Sequence, residues 1–376
     1  MGQKLTKAPR GDYDAIVYIE GSEVVAEDSN GRAICPRGLA TTDVHTVLTA
    51  VVSAANDGDV VYIASDIELR GSVTVNKDIH FVSDGKTIVV GDLSDYAFLC
   101  IGSGVKSTAL TSNVNNHQRK IYIDVSGVQV GDLLSIQCDD VFGGGFYPTM
   151  KTGEMLRVVG VENDHVVVSN TPIHKNYLTT NGGIAVISRP ITVSFDGIWF
   201  THNGTNEAAH AISLSLTSDV RIENCRFFPT LDDKCIDISI GIYNSVSTVI
   251  TKNTFIGPAD IDTMLYGPCD LFVSDGVTDL MVDRNHFYNT RRAISLNNSA
   301  YLSQPRGTMF SNNHITYHYG ASVAPIDSHA CAWDLIVQSN EIDGNTSANC
   351  IQSAALRTIV KNNHLRYGGC VSRDLN

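Results

Sequence analysis

The chain has 376 residues, of which 43% are hydrophobic and 18% are charged, and its formal net charge is −13. An acidic balance argues against a nucleic-acid-binding surface, which requires a basic patch. The apolar stretches are too short to span a bilayer. We therefore expect neither nucleic acid nor a membrane as a partner, and the plentiful Gly, Asn and Thr favour short strands joined by tight turns.

The N-terminal sequence MGQKLTKAPRGDYD lacks the apolar core of a signal peptide. The nine cysteines are an odd number and show no CxxC spacing, so they do not form a disulfide framework. Free thiols buried as small hydrophobic groups, made in a reducing compartment, explain them better. We expect synthesis in the cytoplasm without conventional export.

The first hundred residues predict a hairpin, a helix and the start of a regular fold. Residues 1–40 contain YDAIVYIEGSEVVAEDSNGR, which predicts a β-hairpin or an extended arm. The segment TTDVHTVLTAVVSAAN predicts an amphipathic helix that begins at Thr42 or Asp43 and ends near Asn56. The strands that follow, up to residue 109, form a unit with this helix. A helix in this place would cap the open end of a solenoid.

Residues 110–190 interrupt the pattern. The segments KIYIDVSG, GDLLSIQCDD, EMLRVVGVENDHVVVSN and GIAVISRP predict strands joined by hairpin turns, and hence a β-rich insertion. Its glycine-rich segment FGGGFYPTM, residues 142–150, would either overhang a groove or form a plain surface loop.

Internal repeats over residues 191–376 decide the fold class. Six segments share the pattern apolar-x-x-Asn-x-apolar, at steps of 29, 32, 28, 27 and 23 residues: Asn224, Asn253, Asn285, Asn313, Asn340 and Asn363. Asp196 extends the series 28 residues upstream. Asn tolerates left-handed turn conformations and can stack along an axis. Steps of this size predict an all-β, right-handed parallel β-helix with an N-terminal capping helix and a β-rich insertion.

The segment LDDKCIDIS concentrates acidic residues beside alternating apolar ones. Asp233 follows Asn224 by nine residues, and Asp262 follows Asn253 by nine, so equal register predicts that the two lie on neighbouring coils. With Asp232 and Asp237 they would form an outward carboxylate cluster, which requires a bound cation or a raised pKa. Hard oxygen ligands suit Ca²⁺, and the alternative is a set of solvated turn residues.

Two further groups follow downstream. Arg291 and Arg292 lie one coil beyond the acidic residues and would clamp a substrate carboxylate, act as the base of a β-elimination, or form salt bridges with nearby acids. In APIDSHACAW, Asp327 and His329 share a strand face, and a His beside an Asp can act as general acid or base. A satisfied structural histidine is the alternative for His329.

From residue 221 to 313 the chain resembles the pectate and pectin lyase superfamily of β-helix proteins. The resemblance rests on RIENCRF, DDKCIDIS, VITKNTF, MLYG, the two-arginine segment and FSNNHI, about a quarter of the chain. It implies a polysaccharide lyase that acts on a uronate-containing glycan. The family's calcium-binding carboxylates correspond to Asp233 and Asp237, with Asp262 as a third candidate ligand, and Arg292, with Arg291 beside it, corresponds to the catalytic arginine.

Three departures accompany this resemblance. Asp262 or its neighbour stands where the family usually has a lysine, the preceding coil offers His210 where a further calcium carboxylate is expected, and Arg292 is not followed by the family's R-x-P pattern. We assign His210, Lys234 and Asp327 to substrate binding. The adjacent Asp232 and Asp233 also resemble the paired carboxylates of polygalacturonase-like hydrolases, in which one acts as acid and one as base.

The sequence therefore carries three hypotheses. The first is a polysaccharide lyase or related depolymerase, the second a non-catalytic virion tail-spike or glycan-binding β-helix, and the third a polygalacturonase-like glycoside hydrolase. Tail spikes are often trimeric, so the second suggests a homotrimer. Cytoplasmic synthesis with release by lysis would suit a virion-associated protein.

Overall fold

The computed structural model describes residues 13–91, 93, 96–141, 151–170, 176–203, 210–229, 238–257, 269–297, 304–317, 324–328, 332–344, 350–355, 357–366 and 371–373. They form a right-handed parallel β-helix, as predicted. Nine described coils each contribute one strand to sheets A, B and C in turn, and equivalent strands pair in parallel. In the described part of the chain no helix is long and apolar enough to cross a membrane.

The strand bounds, taken sheet by sheet, show the repetition. Sheet A contains Gly38–Leu39, Glu23–Asp28, Ala15–Glu20, Asp59–Ile63, Ile79–Ser83, Val193–Asp196, Arg221–Glu223, Val246–Thr251, Thr278–Asp283, Met309–Ser311, Ile336–Gln338 and Ile359–Lys361. Sheet B contains Ile67–Leu69, Thr87–Val90, Trp199–His202, Arg226–Phe227, Thr254–Ile256, His286–Tyr288, His314–Tyr317, Glu341–Gly344 and His364–Arg366. Sheet C contains Val73–Val75, Tyr96–Ile101, His210–Ser215, Ile238–Tyr243, Cys269–Ser274, Arg292–Leu296, Ile326–Ser328, Ile351–Ser353 and Val371–Arg373.

The N-terminal end of the solenoid is covered. The helix Val44–Ala54 buries Val47, Leu48 and Val51 in the same core as the coils, because its apolar residues recur at helical spacing on one face. The hairpin Ala15–Glu20 and Glu23–Asp28 continues sheet A beyond the first coil. The helix thus caps the core, as the sequence predicted.

The insertion lies between the second and third coils. Its antiparallel sheet contains Ser103–Ala109, Ile184–Arg189, Leu133–Val141, Lys151–Val161, His165–Val168 and Lys120–Tyr122, and a short 3-10 helix spans Thr179–Asn181. It has a separate apolar core that includes Ile136, Leu156 and Tyr177. The segment 142–150 lies outside the described residues.

The stacked asparagines form a hydrogen-bonded ladder between sheets A and B. Each side-chain amide donates to the next oxygen, from Asn253 to Asn285, Asn313, Asn340 and Asn363, at 2.9–3.1 Å. Beside the ladder, on sheet B, the rings of Phe200, Phe227, Phe255 and Phe287 stack at 4.8–5.1 Å.

The ladder corrects one sequence prediction. Arg226 pairs with Thr254, so the residue equivalent to Asn253 is Cys225 and not Asn224. The Cys225 backbone N–H donates to the side-chain Oδ1 of Asn253 at 2.9 Å, whereas Asn224 has φ 54° and its side-chain amide donates to Asp196 at 2.7 Å. The left-handed position is therefore the residue before the ladder, where Asn, Lys, Arg and Ser all occur. Asp196 pairs with Glu223 and lies outside the ladder series.

The cysteine prediction agrees with the described part of the chain. No disulfide bond joins the described cysteines Cys35, Cys100, Cys138, Cys225, Cys269 and Cys350, and all except Cys35 are buried. Burial raises the pKa of the Cys225 thiol to about 12, so this group stays protonated and packs as a small apolar side chain.

Candidate functional site on sheet C

Two of the predicted site residues, Arg292 and Asp327, meet at the outer face of sheet C. Register pairs Gly241 with Phe272, Ser295 and Asp327 in successive coils. The alternating row of Ile240, Leu271, Ile294 and Ile326 is buried in the core. Because alternate residues of a strand lie on opposite faces, the row containing Asp327 lies on the outside of the sheet.

Aromatic groups occupy the part of this face formed by the early coils. A Cβ added at Gly241 would lie only 2.9 Å from the Tyr243 ring, so the ring can occupy this space because residue 241 has no side chain. The Tyr243 and Phe272 rings of this face are 6.0 Å apart. The Tyr96 ring meets His210 edge-on at 5.0 Å where their two strands begin, in the row that continues to the core residues Phe98 and Ile212. Burial raises the pKa of Tyr243, and the nearby Tyr96 raises it further. Tyr243 therefore keeps its hydroxyl proton.

An ion pair lies on the later coils. The Arg292 Nε is 3.5 Å from the Asp327 Oδ2, with the guanidinium partly exposed and the carboxylate buried. The structure therefore pairs two residues to which the sequence assigned separate roles. The contact is an electrostatic pair and not a hydrogen bond, because the Arg292 Nε is buried and makes no hydrogen bond among the described residues. The neighbouring Arg291 Nε is buried and has no hydrogen-bond partner among the described residues.

Asp270 is an acidic residue that sequence reasoning missed. It is the second residue of the strand Cys269–Ser274, and register places its neighbour Cys269 beside Arg292. Its carboxyl group is buried and accepts a 2.5 Å hydrogen bond from the Thr290 hydroxyl. Burial raises the pKa of Asp270 to about 7, so near neutral pH the group can both donate and accept a proton.

Six of the predicted residues lie outside the described residues: Asp232, Asp233, Lys234, Asp237, Asp262 and His329. Their roles remain predictions. The corrected ladder removes one argument, however, because Asp233 follows Cys225 by eight residues whereas Asp262 follows Asn253 by nine. Equal register therefore does not place these two carboxylates side by side. Within the described ranges, no three His, Cys, Asp or Glu side chains could hold a metal ion.

The sequence contained weak signals for the residues it missed. Asp270 is a single charge at the start of the apolar strand CDLFVS, an arrangement that is unfavourable unless the group is neutral or bonded. Tyr243 lies two residues after Gly241, the glycine that makes room for its ring. Neither signal distinguishes a functional residue from a turn residue without the register between coils.

The sequence matches no protein-family model and no curated protein. Its fold is similar to that of solved β-helix structures. The tailspike protein gp49 from Pseudomonas phage LKA1 aligns with a TM-score of 0.61 at 18% identity, over 84% of this chain and 53% of the tailspike. This chain thus spans about half the length of that protein.

Two further tailspikes align less closely. Gp54 of Acinetobacter baumannii bacteriophage AP22, solved in complex with a capsular saccharide, aligns with a TM-score of 0.45 at 17% identity, over 89% of this chain and 68% of gp54. The tailspike gp61 of Pseudomonas phage phi297 aligns with a TM-score of 0.46 at 13% identity, over 85% and 67%. Together with the coil topology, the gp49 alignment confirms the pectate-lyase-like β-helix fold that the resemblance implied.

Proposed function

We propose that the chain is a carbohydrate-active β-helix that depolymerises a uronate-containing polysaccharide on the outer face of sheet C. The observation that carries the proposal is the joint presence there of sugar-sized aromatic groups, an anchored arginine and a carboxyl group with a pKa near neutrality. Aromatic rings pack on the apolar faces of sugars, and arginine binds carboxylates. The fold similarity to a phage tailspike is in keeping with this role.

The proposed reaction is a β-elimination. Arg292, held by Asp327, binds the uronate carboxylate, which acidifies the C5 proton. Arg291 is our candidate for the base that removes this proton. The electron pair forms the C4–C5 double bond as the glycosidic oxygen leaves, and Asp270 in its protonated form donates a proton to that oxygen. Ca²⁺ bound by Asp233, Asp237 and Asp262 would neutralise further substrate carboxylates.

Hydrolysis is the second candidate, and Asp270 favours it. A glycoside hydrolase requires one carboxylic acid with a raised pKa and one ionised carboxylate. Asp270 meets the first requirement. Asp232 or Asp233 would supply the second, and His329 beside Asp327 is a further candidate acid or base. Lys234 and His210 would bind substrate in either reaction.

The third candidate is a non-catalytic virion β-helix that binds glycans, and for it we propose a homotrimer. One outer row of sheet A is uncharged over five consecutive coils: Val249, Met281, Met309, Ile336 and Ile359. Met281 and Ile359 are exposed large apolar side chains. On a chain of charge −13, this row is a face on which identical copies can meet without repulsion. Virion association after cell lysis is part of the same proposal.

The test is incubation of the protein with uronate-containing and neutral polysaccharides, with Ca²⁺ or with a chelator. We expect ultraviolet absorbance from unsaturated sugar ends, dependent on Ca²⁺ and lost in Arg292→Ala and Asp270→Asn. Reducing ends without absorbance would establish hydrolysis instead. Binding without either product would identify a non-catalytic protein, and the absence of both binding and product would refute the proposal.

A further inference from the structure

A second face of the solenoid also concentrates aromatic and cationic groups. On the outside of sheet B, register aligns Trp199 with Arg226, Thr254 and His286 in four successive coils. Phe228 and Tyr288 lie two residues after Arg226 and His286, so they extend the same face. The core row of this sheet is the phenylalanine stack, on the opposite side of the same strands.

The geometry of this face is well defined. The Arg226 Cζ lies 5.4 Å from the centre of the Trp199 ring and 5.4 Å from that of Phe228. The two rings stand 6.4 Å apart at 88°. A Cβ at Gly85 would lie 3.3 Å from the indole, so the glycine allows the Trp199 ring to lie close to the backbone. Cation–π contacts hold the guanidinium between the rings without neutralising its charge.

The rings of Trp199 and Tyr288 are exposed to solvent and do not contribute to the hydrophobic core. Trp199 is 36% exposed and Tyr288 is 40% exposed, whereas the adjacent Phe200 and Phe287 are fully buried. Large aromatic groups exposed in a row, beside a polar partner, mark binding surfaces. Among the described residues of these four coils, the charged or titratable groups of this face are Arg226, His286 and Tyr288, and none is acidic like Asp or Glu, so the Arg226 guanidinium makes the face locally positive on an acidic chain.

We propose that this face, defined by Trp199, Arg226, Phe228, His286 and Tyr288, is a second binding site for an anionic glycan that runs along the solenoid axis. Coils repeat every ~4.8 Å, so Trp199 and Tyr288 are about 14 Å apart along the axis. A hexose in a linear glycan advances by about the same distance as one coil, and successive sugars therefore meet successive coils. The rings stack on sugar faces while Arg226 binds an acidic group.

This site is separate from the proposed catalytic face, because sheets B and C are different sides of the coil. A polymer held on sheet B would remain near the protein after each cleavage on sheet C. Retention of the polymer between cleavage events rests on the proposed function, whereas glycan binding on sheet B does not.

Tryptophan fluorescence tests the proposal directly. The chain has two tryptophans, Trp199 and Trp333, so a Trp333→Phe protein reports on Trp199 alone. We expect saturable quenching or a spectral shift on titration with hexameric oligogalacturonate, and a weaker response to cellohexaose. Arg226→Ala and Tyr288→Ala, made in this protein, should each weaken the binding of oligogalacturonate roughly tenfold.

The control for exposed apolar area is Val159→Ala, because Val159 is 42% exposed on the insertion and its loss should leave binding unchanged. Asp270→Asn and Arg292→Ala should abolish product formation and leave the Trp199 response intact, which separates this site from the catalytic proposal. An unresponsive Trp199, or a response that disappears in the two sheet C variants, would overturn the second site.

Discussion

The buried carboxyl group of Asp270 makes the stability of the fold depend on pH. Burial raises its pKa from 3.8 to about 7, while the hydrogen bond from Thr290 opposes the shift. The native protein therefore retains a proton that the unfolded chain releases near pH 4. The contribution of this residue to the free energy of unfolding is greatest below pH 4 and falls as the pH rises to about 7.

We predict that Asp270→Asn removes this decline. Three pKa units correspond to roughly 4 kcal/mol at most, so the variant should gain stability relative to the native chain between pH 5 and pH 8. Urea denaturation at the two pH values measures the difference. Thr290→Val serves as a comparison, because loss of the hydrogen bond should raise the pKa further and steepen the decline. If the free energy of unfolding changed with pH by the same amount in the native chain and in the Asn variant, the prediction would be wrong.

The ladder residues allow a second prediction. Asn285 donates to the Ile250 carbonyl and to Asn313, and it accepts from the backbone and side chain of Asn253. Asn285→Ala leaves several of these buried groups without partners, at a cost of roughly 3 kcal/mol or more in the free energy of unfolding. Asn224→Gly is the matched control, since glycine adopts the φ of 54° readily and Asn224 is exposed. Equal losses for both variants would place Asn224 in the ladder after all.

These residues also show how much of the ladder could be predicted from the sequence. The repeated Asn was visible as a period, but Asn224 stands one position before the ladder and Cys225 occupies the ladder itself. A cysteine carries no polar signal in a sequence pattern, so the alignment shifted to the nearest asparagine. That one-residue error also produced the equal nine-residue spacing on which the sequence argument for Asp233 and Asp262 rested.

At the scale of elements, the insertion strand Lys151–Val161 lies along the corners of the coils. Arg157 forms an ion pair with Asp219 before the fourth coil. Met155 packs against Val246 of the fifth coil, and its backbone carbonyl accepts a hydrogen bond from the Thr278 hydroxyl of the sixth coil. Glu154 forms an ion pair with Arg306 before the seventh coil. The Tyr177 hydroxyl also donates to the buried Glu154, at 2.9 Å. The sequence indicated an insertion but could not show where it docks, because its contacts with the coils join residues more than 60 positions apart.

We predict that Arg306→Met is strongly destabilising. The change leaves the Glu154 carboxylate buried without its cation, for which a loss of about 3–5 kcal/mol is expected. Arg157→Met removes an exposed ion pair from the same strand and should cost about 1 kcal/mol or less. Thermal and urea unfolding of the two variants provide the comparison, and similar losses would show that the buried pair has no special role in docking.

At the scale of the whole molecule, the apolar row of sheet A determines the expected assembly. We predict that the native chain scatters light as a trimer and that Met281→Glu reduces the mass to that of one chain, because a buried, unpaired carboxylate opposes association. Met281→Leu keeps the apolar surface and should leave the mass unchanged. A native mass of one chain would remove the homotrimer from the proposal.

The fold class was predictable at this scale because repetition multiplies a weak local signal. Each coil contributes a short apolar pattern that would be ambiguous alone, and six asparagine-containing segments at similar steps favour stacking over any other arrangement. The site was less predictable because it depends on which loop residues meet across coils of unequal length. Arg292 and Asp327 were both selected from the sequence, but their pairing required the register between their coils.

The strand that lies across the corners also changes how the molecule should come apart. In a plain solenoid each coil touches only its neighbours, so the ends can fray while the middle persists. Here one strand contacts the corners of four successive coils, so it also links corners that are not neighbours, in addition to the backbone hydrogen bonds between adjacent corners. Because opening any of these coils breaks contacts with a strand that the others share, we expect the central coils and the insertion to unfold as a single cooperative unit, with fraying confined to the coils beyond it.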